Sequence, residues 1–134
     1  MNREGLFDCL RLMVEETHKN STRLAEFSKS LSKTHFLKEF RTVKFGLGRQ
    51  MGHTTMAMQL RFPWAETIVF VPQTSLGYLQ LRYPAVQLYA IHHNTRSIPS
   101  QIPRLFVIDP VQLMSNIDAV YEAATIEDFI VLLE

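Results

Sequence analysis

The sequence predicts an α/β fold: a mainly parallel five-stranded sheet flanked by helices and preceded by an N-terminal helical segment. Three observations lead there. Five short apolar runs follow residue 40, helical patterns alternate with them, and the prolines fall between elements rather than inside them. Several of the runs are continuously apolar, the pattern of strands buried on both faces, and alternation of strand with helix favours crossover connections over hairpins.

The helical segment occupies residues 1–40. From Glu4 to about His18, the residues Leu6, Cys9, Leu10, Met13 and Val14 recur at helical spacing among Arg3, Arg11, Glu15 and Glu16, which is an amphipathic helix. Asn20 or Ser21 can cap a second helix with Leu24, Phe27 and Leu31 on one face, because a short side-chain oxygen satisfies an exposed N–H at a helix start. Both apolar faces need cover, which packing on the following domain would supply.

The α/β core spans residues 41–134. Its expected strands are Thr42-Val43-Lys44-Phe45, Thr67-Ile68-Val69-Phe70-Val71, Gln87-Leu88-Tyr89-Ala90-Ile91, Leu105-Phe106-Val107-Ile108 and Phe129-Ile130-Val131-Leu132-Leu133. Thr54 to Arg61, Thr74 to Arg82 and Val111 to Ala123 carry the helical content between them. Pro63, Pro72, Pro84, Pro99, Pro103 and Pro110 mark the connections, where a missing N–H does least harm. Residues 92–104 are polar and proline-containing, which reads as a long loop.

Composition narrows the class of protein. With 134 residues, 46% of them hydrophobic and 20% charged, the chain can bury one core but not two, and it is not wholly disordered. No apolar run approaches a bilayer span, so no membrane role is expected. A single cysteine, Cys9, excludes an internal disulfide and points to a reducing, intracellular setting, with Cys9 as a small filler on a helix. A net charge of +1 does not demand a nucleic-acid partner, although Lys29, Lys33, Lys38, Arg41, Lys44 and Arg49 gather before and into the most informative segment.

That segment is Gly48-Arg49-Gln50-Met51-Gly52-His53-Thr54-Thr55. A phosphate-binding P-loop places glycines where the backbone must wrap an anion, points N–H groups inward and aims a helix start at the phosphate. Its pattern, G-x-x-x-x-G-K-[ST] between strand and helix, is met here at Gly52 and Thr54 and departed from twice. Leu47 holds the first glycine's position, with Gly48 one residue later, and His53 replaces the lysine. A tight strand-to-helix connection could by itself require Gly48 and Gly52.

The segment resembles the R-Q-x-G-K-T-T variant found in the ATPase domains of phage DNA-packaging terminases and related RecA-like helicases. Arg49-Gln50, Gly52 and Thr54-Thr55 carry the match, and His53 does not. The resemblance implies a P-loop NTPase sheet with its first strand central, a viral or phage origin, and hence a place in the host cytoplasm. It implies phosphate contacts from Gly48, Arg49, Gln50, Gly52, His53, Thr54 and Thr55, to ATP or another nucleoside triphosphate carried with Mg²⁺. Leu105-Phe106-Val107-Ile108-Asp109 resembles a Walker B strand, so that Thr54 and Asp109 would address the metal. Pro110 stands where hydrolytic relatives place a glutamate, and a histidine lacks the reach of the lysine, so hydrolysis should be weak or absent.

Two other functions fit the same residues: an interaction module that pairs with itself or a partner through its N-terminal helices, and an ATPase completed in trans by a partner. His92-His93 with Asp109 could suggest a metal site, but adjacent histidines at a strand end project to opposite sides. Ser75, Ser97 and Ser100 lie in no nucleophile elbow. Gln73-Thr74 reads as a helix cap before it reads as a nucleic-acid contact, and Trp64, Tyr78, Tyr83 and Tyr89 read as packing before stacking platforms.

Overall fold

A computed structural model describes residues 3–46, 53–90, 103–108 and 117–133. The chain begins with α1 (Arg3–Lys19), a single turn α2 (Ser21–Leu24), a 3-10 turn (Ala25–Lys29) and α3 (Lys33–Phe40). There follow β1 (Thr42–Phe45), α4 (His53–Gln59), β2 (Glu66–Val71), α5 (Gln73–Arg82), β3 (Gln87–Ala90), β4 (Arg104–Ile108), α6 (Ile117–Ala123) and β5 (Phe129–Leu133). The strands form one five-stranded sheet in the order β1-β5-β4-β2-β3, and every pairing is parallel. The α/β reading of the sequence is thus correct in class and in the location of its strands.

Successive side chains of a strand point to opposite faces, and the two faces are filled separately. On one, Val69 and Val71 of β2, Leu105 and Val107 of β4 and Val131 of β5 pack with Leu10 and Val14 of α1, Ala57 and Met58 of α4 and Leu79 of α5. On the other, Ile68 and Phe70, Phe106 and Ile108, and Ile130 and Leu132 pack with Leu37 of α3 and with Ile117, Val120 and Tyr121 of α6. Each central strand therefore sends apolar residues both ways, which is why β4 and β5 are buried along their whole length. The first helix is one of the covers of the sheet.

The sheet order corrects one expectation. β1 lies at an edge, not at the centre, and among the described strands only β5 pairs with it. Its burial alternates, with Val43 buried and Lys44 exposed, where a central strand would be buried throughout. A lysine on an exposed position is a common way to keep an edge strand from pairing with another chain.

The second helix is also shorter than the spacing of Leu24, Phe27 and Leu31 suggests. After one α turn the chain tightens into the 3-10 turn, and Phe27 remains 43% exposed, stacked on Phe40 at 5.3 Å. A new helix starts at Lys33 because Ser32 accepts a hydrogen bond from the His35 N–H, 3.2 Å, in an extended N-cap conformation. At α5 the cap position falls on Pro72, without a side-chain bond, and Gln73 is the first helical residue. This displaces the expected cap at Gln73-Thr74 by one residue and suits proline, whose fixed φ fits a helix entrance.

One buried ion pair ties the amino ends of β4 and β5 together. Arg104 and Asp128 meet at 2.8 Å (Nη2 to Oδ2), the carboxylate fully buried. Asp128 also accepts from the Arg104 main-chain N–H at 2.8 Å and from the Thr125 N–H at 2.8 Å, while Arg104 Nη2 reaches the Ala123 carbonyl at 3.2 Å. Nothing in the local sequence pairs residues 24 positions apart. Their partnership follows from the β4–β5 register.

Candidate functional site

Parallel strands present their carboxyl ends at one edge, where open α/β sheets bind ligands. Lys44 of β1 is in register with Leu132 of β5, and Leu132 with Ile108 of β4. The ends of β1 and β4 are therefore level, with one strand between them, about 10 Å apart at normal strand spacing. The segment that leaves β1 leads directly to α4, and Asp109 follows Ile108 in the chain.

Helix α4 forms where Thr54 to Leu60 combine helix-forming methionine, alanine, glutamine and leucine with an apolar stripe. Met56, Ala57 and Met58 are buried, which fixes the helix against the sheet. Gly48, Arg49, Gln50, Gly52 and Asp109 lie outside the described residues, and His53 is described only as the backbone of the first residue of α4. Thr54 and Thr55, in the first turn of that helix, are half-buried.

Both threonines line a cavity of about 420 Å³ between α4 and α5, together with Ser75, Tyr78, Arg82 and Tyr83. Arg82 Nε donates to the Tyr83 hydroxyl and Nη1 to the Tyr78 hydroxyl, each at 3.3 Å, and its guanidinium lies 5.7 Å over the Tyr83 ring. Those bonds, Tyr83 first and Tyr78 second, raise the Arg82 pKa above its ordinary value. The cavity thus offers three aliphatic hydroxyls, a permanent positive charge and two phenol rings beside the start of α4. Reading the sequence missed Arg82. The available signal was the spacing of Tyr78 and Arg82, four apart on one helix face.

No protein-family model, curated protein or solved structure matches the chain. Residue chemistry and geometry therefore carry the functional argument.

The other residues singled out from the sequence separate clearly. Trp64 stacks on His18 at 3.8 Å and meets Phe129 edge-on at 5.1 Å, so its ring is already occupied by packing. Tyr89 is half-buried, 6.4 Å from Phe70, whereas Tyr78 is 63% exposed. His92, His93, Ser97 and Ser100 lie outside the described residues. Among the described residues, no group of three or more His, Cys, Asp or Glu could hold a metal ion. Likewise, no described helix is long and apolar enough to cross a membrane. Cys9 is half-buried on α1.

The expected basic face is partly consumed inside the fold. Arg41 is buried, Lys33 Nζ donates to the Glu122 carbonyl at 2.6 Å, and Lys38 lies 5.3 Å over the Tyr121 ring. Lys29, Lys33, Lys38 and Lys44 all remain exposed, so of the described members of the group only Arg41 is withdrawn from the surface.

Proposed function

We propose that the chain is a P-loop nucleotide-binding domain, weakly hydrolytic at most, that works beside nucleic-acid-handling machinery of a virus or phage. The observation that supports it best is the path of the chain at the carboxyl edge of the sheet. A parallel strand ends at Phe45, the helix that begins at His53 packs on that same sheet, and the intervening residues contain Gly48, Arg49, Gln50 and Gly52. A strand followed, after a short glycine-containing segment, by a helix is the order of elements around a phosphate cradle. Viral origin and the link to nucleic acid rest on the resemblance of the R-Q-x-G-x-T-T residues.

In this reading the main-chain N–H groups around Gly48 and Gly52 hold phosphate, and Arg49, Gln50 and His53 contribute side-chain donors, with Thr55 beside them. The Thr54 hydroxyl and the Asp109 carboxylate are the ligands offered to Mg²⁺, which would neutralise phosphate charge when bound. Thr54 fits that task because it stands half-exposed at the start of α4 on the wall of a cavity. Arg82, across the same cavity, adds a cation beside that of Arg49 to a cradle in which His53 stands in place of the lysine.

Calorimetric titration with ATP, GTP and Mg²⁺ tests the proposal. Saturable binding that weakens in Thr54→Val supports it. No heat and no thermal shift at millimolar nucleotide would remove it.

A second reading has its own observation. Leu12 and Met13 on α1 are 60% and 40% exposed, which suits a helix that meets another protein or a second copy of the chain. If this is the principal function, Leu12→Glu abolishes a concentration-dependent dimer in sedimentation while nucleotide has no effect. A monomer at all concentrations and no partner-dependent change would exclude self-association.

A further inference from the structure

At the amino edge of the sheet, opposite the end that bears the proposed nucleotide site, Arg41 is buried in an unusual setting. It is 3% exposed, immediately before β1, and its main chain extends the β1–β5 pairing by accepting from the Ile130 N–H at 2.8 Å. The guanidinium donates to two main-chain carbonyls, Ser21 at 3.0 Å from Nη2 and Phe40 at 3.3 Å from Nη1. Nε is buried with no hydrogen-bond partner among the described residues.

No carboxylate of the described residues lies within ion-pair distance of Arg41. Asp128, the buried acid two residues before Ile130, is committed to Arg104 and Thr125. Aromatic faces supply part of the compensation, since the guanidinium carbon lies 4.7 Å from the Phe36 ring centroid and 5.4 Å from that of Phe129. Desolvation nevertheless lowers the Arg41 pKa, the direction expected of a cation short of counter-charge. Buried cations are ordinarily paired.

The same residue lines a cavity of about 470 Å³ with His18, Ser21, Phe36, Phe129 and Glu127. That volume falls within the range of small-ligand sites, and the mixture of aromatic walls with a few polar groups is typical of them. We propose that this cavity binds a small organic monoanion, a carboxylate carried on an apolar or aromatic body, with Arg41 as its recognition group. Arg41 supplies a positive charge that no carboxylate of the described residues pairs with. Phe36 and Phe129 receive the apolar body, and the Ser21 hydroxyl and His18 ring provide polar contacts at the wall. Glu127 selects against highly charged ligands: its carboxylate on the same wall repels a phosphate dianion more strongly than a singly charged carboxylate.

Benzoate is the test ligand and benzamide its neutral counterpart, titrated into the full-length ¹⁵N-labelled protein. The expected result is a saturable shift of the Arg41 Nε–H resonance and of the Ser21 and Phe129 amides with benzoate, and at least tenfold weaker binding of benzamide. Glu127→Gln, an exposed substitution that leaves the fold intact, should tighten benzoate binding about threefold by removing a like charge. Arg41→Gln should abolish binding. If that variant does not fold, the wild-type titration and the Glu127→Gln comparison decide the matter alone. Absence of a saturable shift at tens of millimolar benzoate overturns the proposal, as does equal binding of benzamide. Shifts confined to Thr54, Thr55 and Arg82 also overturn it, because they would place the anion at the opposite edge of the sheet.

Discussion

Replacing Asp128 by alanine should be among the most damaging single substitutions in the chain. The carboxylate is fully buried, and it receives the Arg104 side chain at 2.8 Å together with two main-chain N–H groups, those of Arg104 and Thr125. Its removal strips those donors of their acceptor at once and leaves a guanidinium whose side chain is 9% exposed without its counter-charge. Breaking a buried pair from one side costs about 3 to 5 kcal/mol. With an unfolding entropy of roughly 2.1 cal/mol/K per residue, such a loss lowers the Tm of a chain this size by about 10 to 18 °C. Equilibrium unfolding in urea, followed by circular dichroism, measures the free energy directly.

The partner substitution should behave differently. Arg104→Met leaves Asp128 with main-chain N–H donors and the Thr125 hydroxyl, so it should cost less than Asp128→Ala. The double variant Arg104→Met with Asp128→Leu removes both charges and should recover most of the loss. A cost below about 1 kcal/mol for Asp128→Ala would refute the reasoning, since a buried ion cannot lose its partner so cheaply. So would a double variant as unstable as the worse single one.

Further outcomes follow from other elements. Ser32→Ala removes the bond from the His35 N–H and should destabilise by about 1 kcal/mol in the same urea assay, with Ser32→Asp restoring it. Burial raises the Tyr121 pKa above the ordinary phenol value, while its bond with Thr42, 2.8 Å, opposes the rise. A raised folded-state value means that the unfolded chain loses its proton first, so the urea midpoint should fall as pH climbs past about 10, and Tyr121→Phe should flatten that fall. His53→Lys should tighten ATP binding about tenfold in calorimetry if His53 stands in the lysine's place, and unchanged affinity in a folded variant would deny it that role. Phe106→Ala, at a fully buried position of β4, should cost about 3 to 5 kcal/mol in the same urea assay.

The strands were legible because burial on two faces leaves an unbroken apolar run, as in Leu105-Phe106-Val107-Ile108 and Phe129-Ile130-Val131-Leu132-Leu133. The edge position of β1 was legible as well. Thr42-Val43-Lys44-Phe45 alternates where the central strands do not, whereas the resemblance implied a central first strand. Strand order as a whole was not readable, because it depends on which crossovers pack best and not on any one segment. Asp128, Arg104 and Arg41 carried no local sign of their roles. All three acquire them only when β4, β5 and β1 come into register, which places a residue after α6 against the first residue of β4 and leaves Arg41 between Phe36 and Phe129. For the proposed nucleotide site, the threonines of α4 were found from their spacing, whereas Arg82 joins them through the packing of α5.

The insertion of β5 between β1 and β4 has a kinetic consequence. β2, β3 and β4 can zip into a three-stranded sheet by themselves, but β1, although it precedes them all in the chain, has no neighbour until residues 129–133 arrive. Pairing Val43 with Val131 closes a loop of nearly ninety residues, an entropic cost met late and at one stroke. On a ribosome the earliest strand to emerge would therefore wait, its edge exposed, for the latest one. Until then the helices before β1 would be the partners within reach.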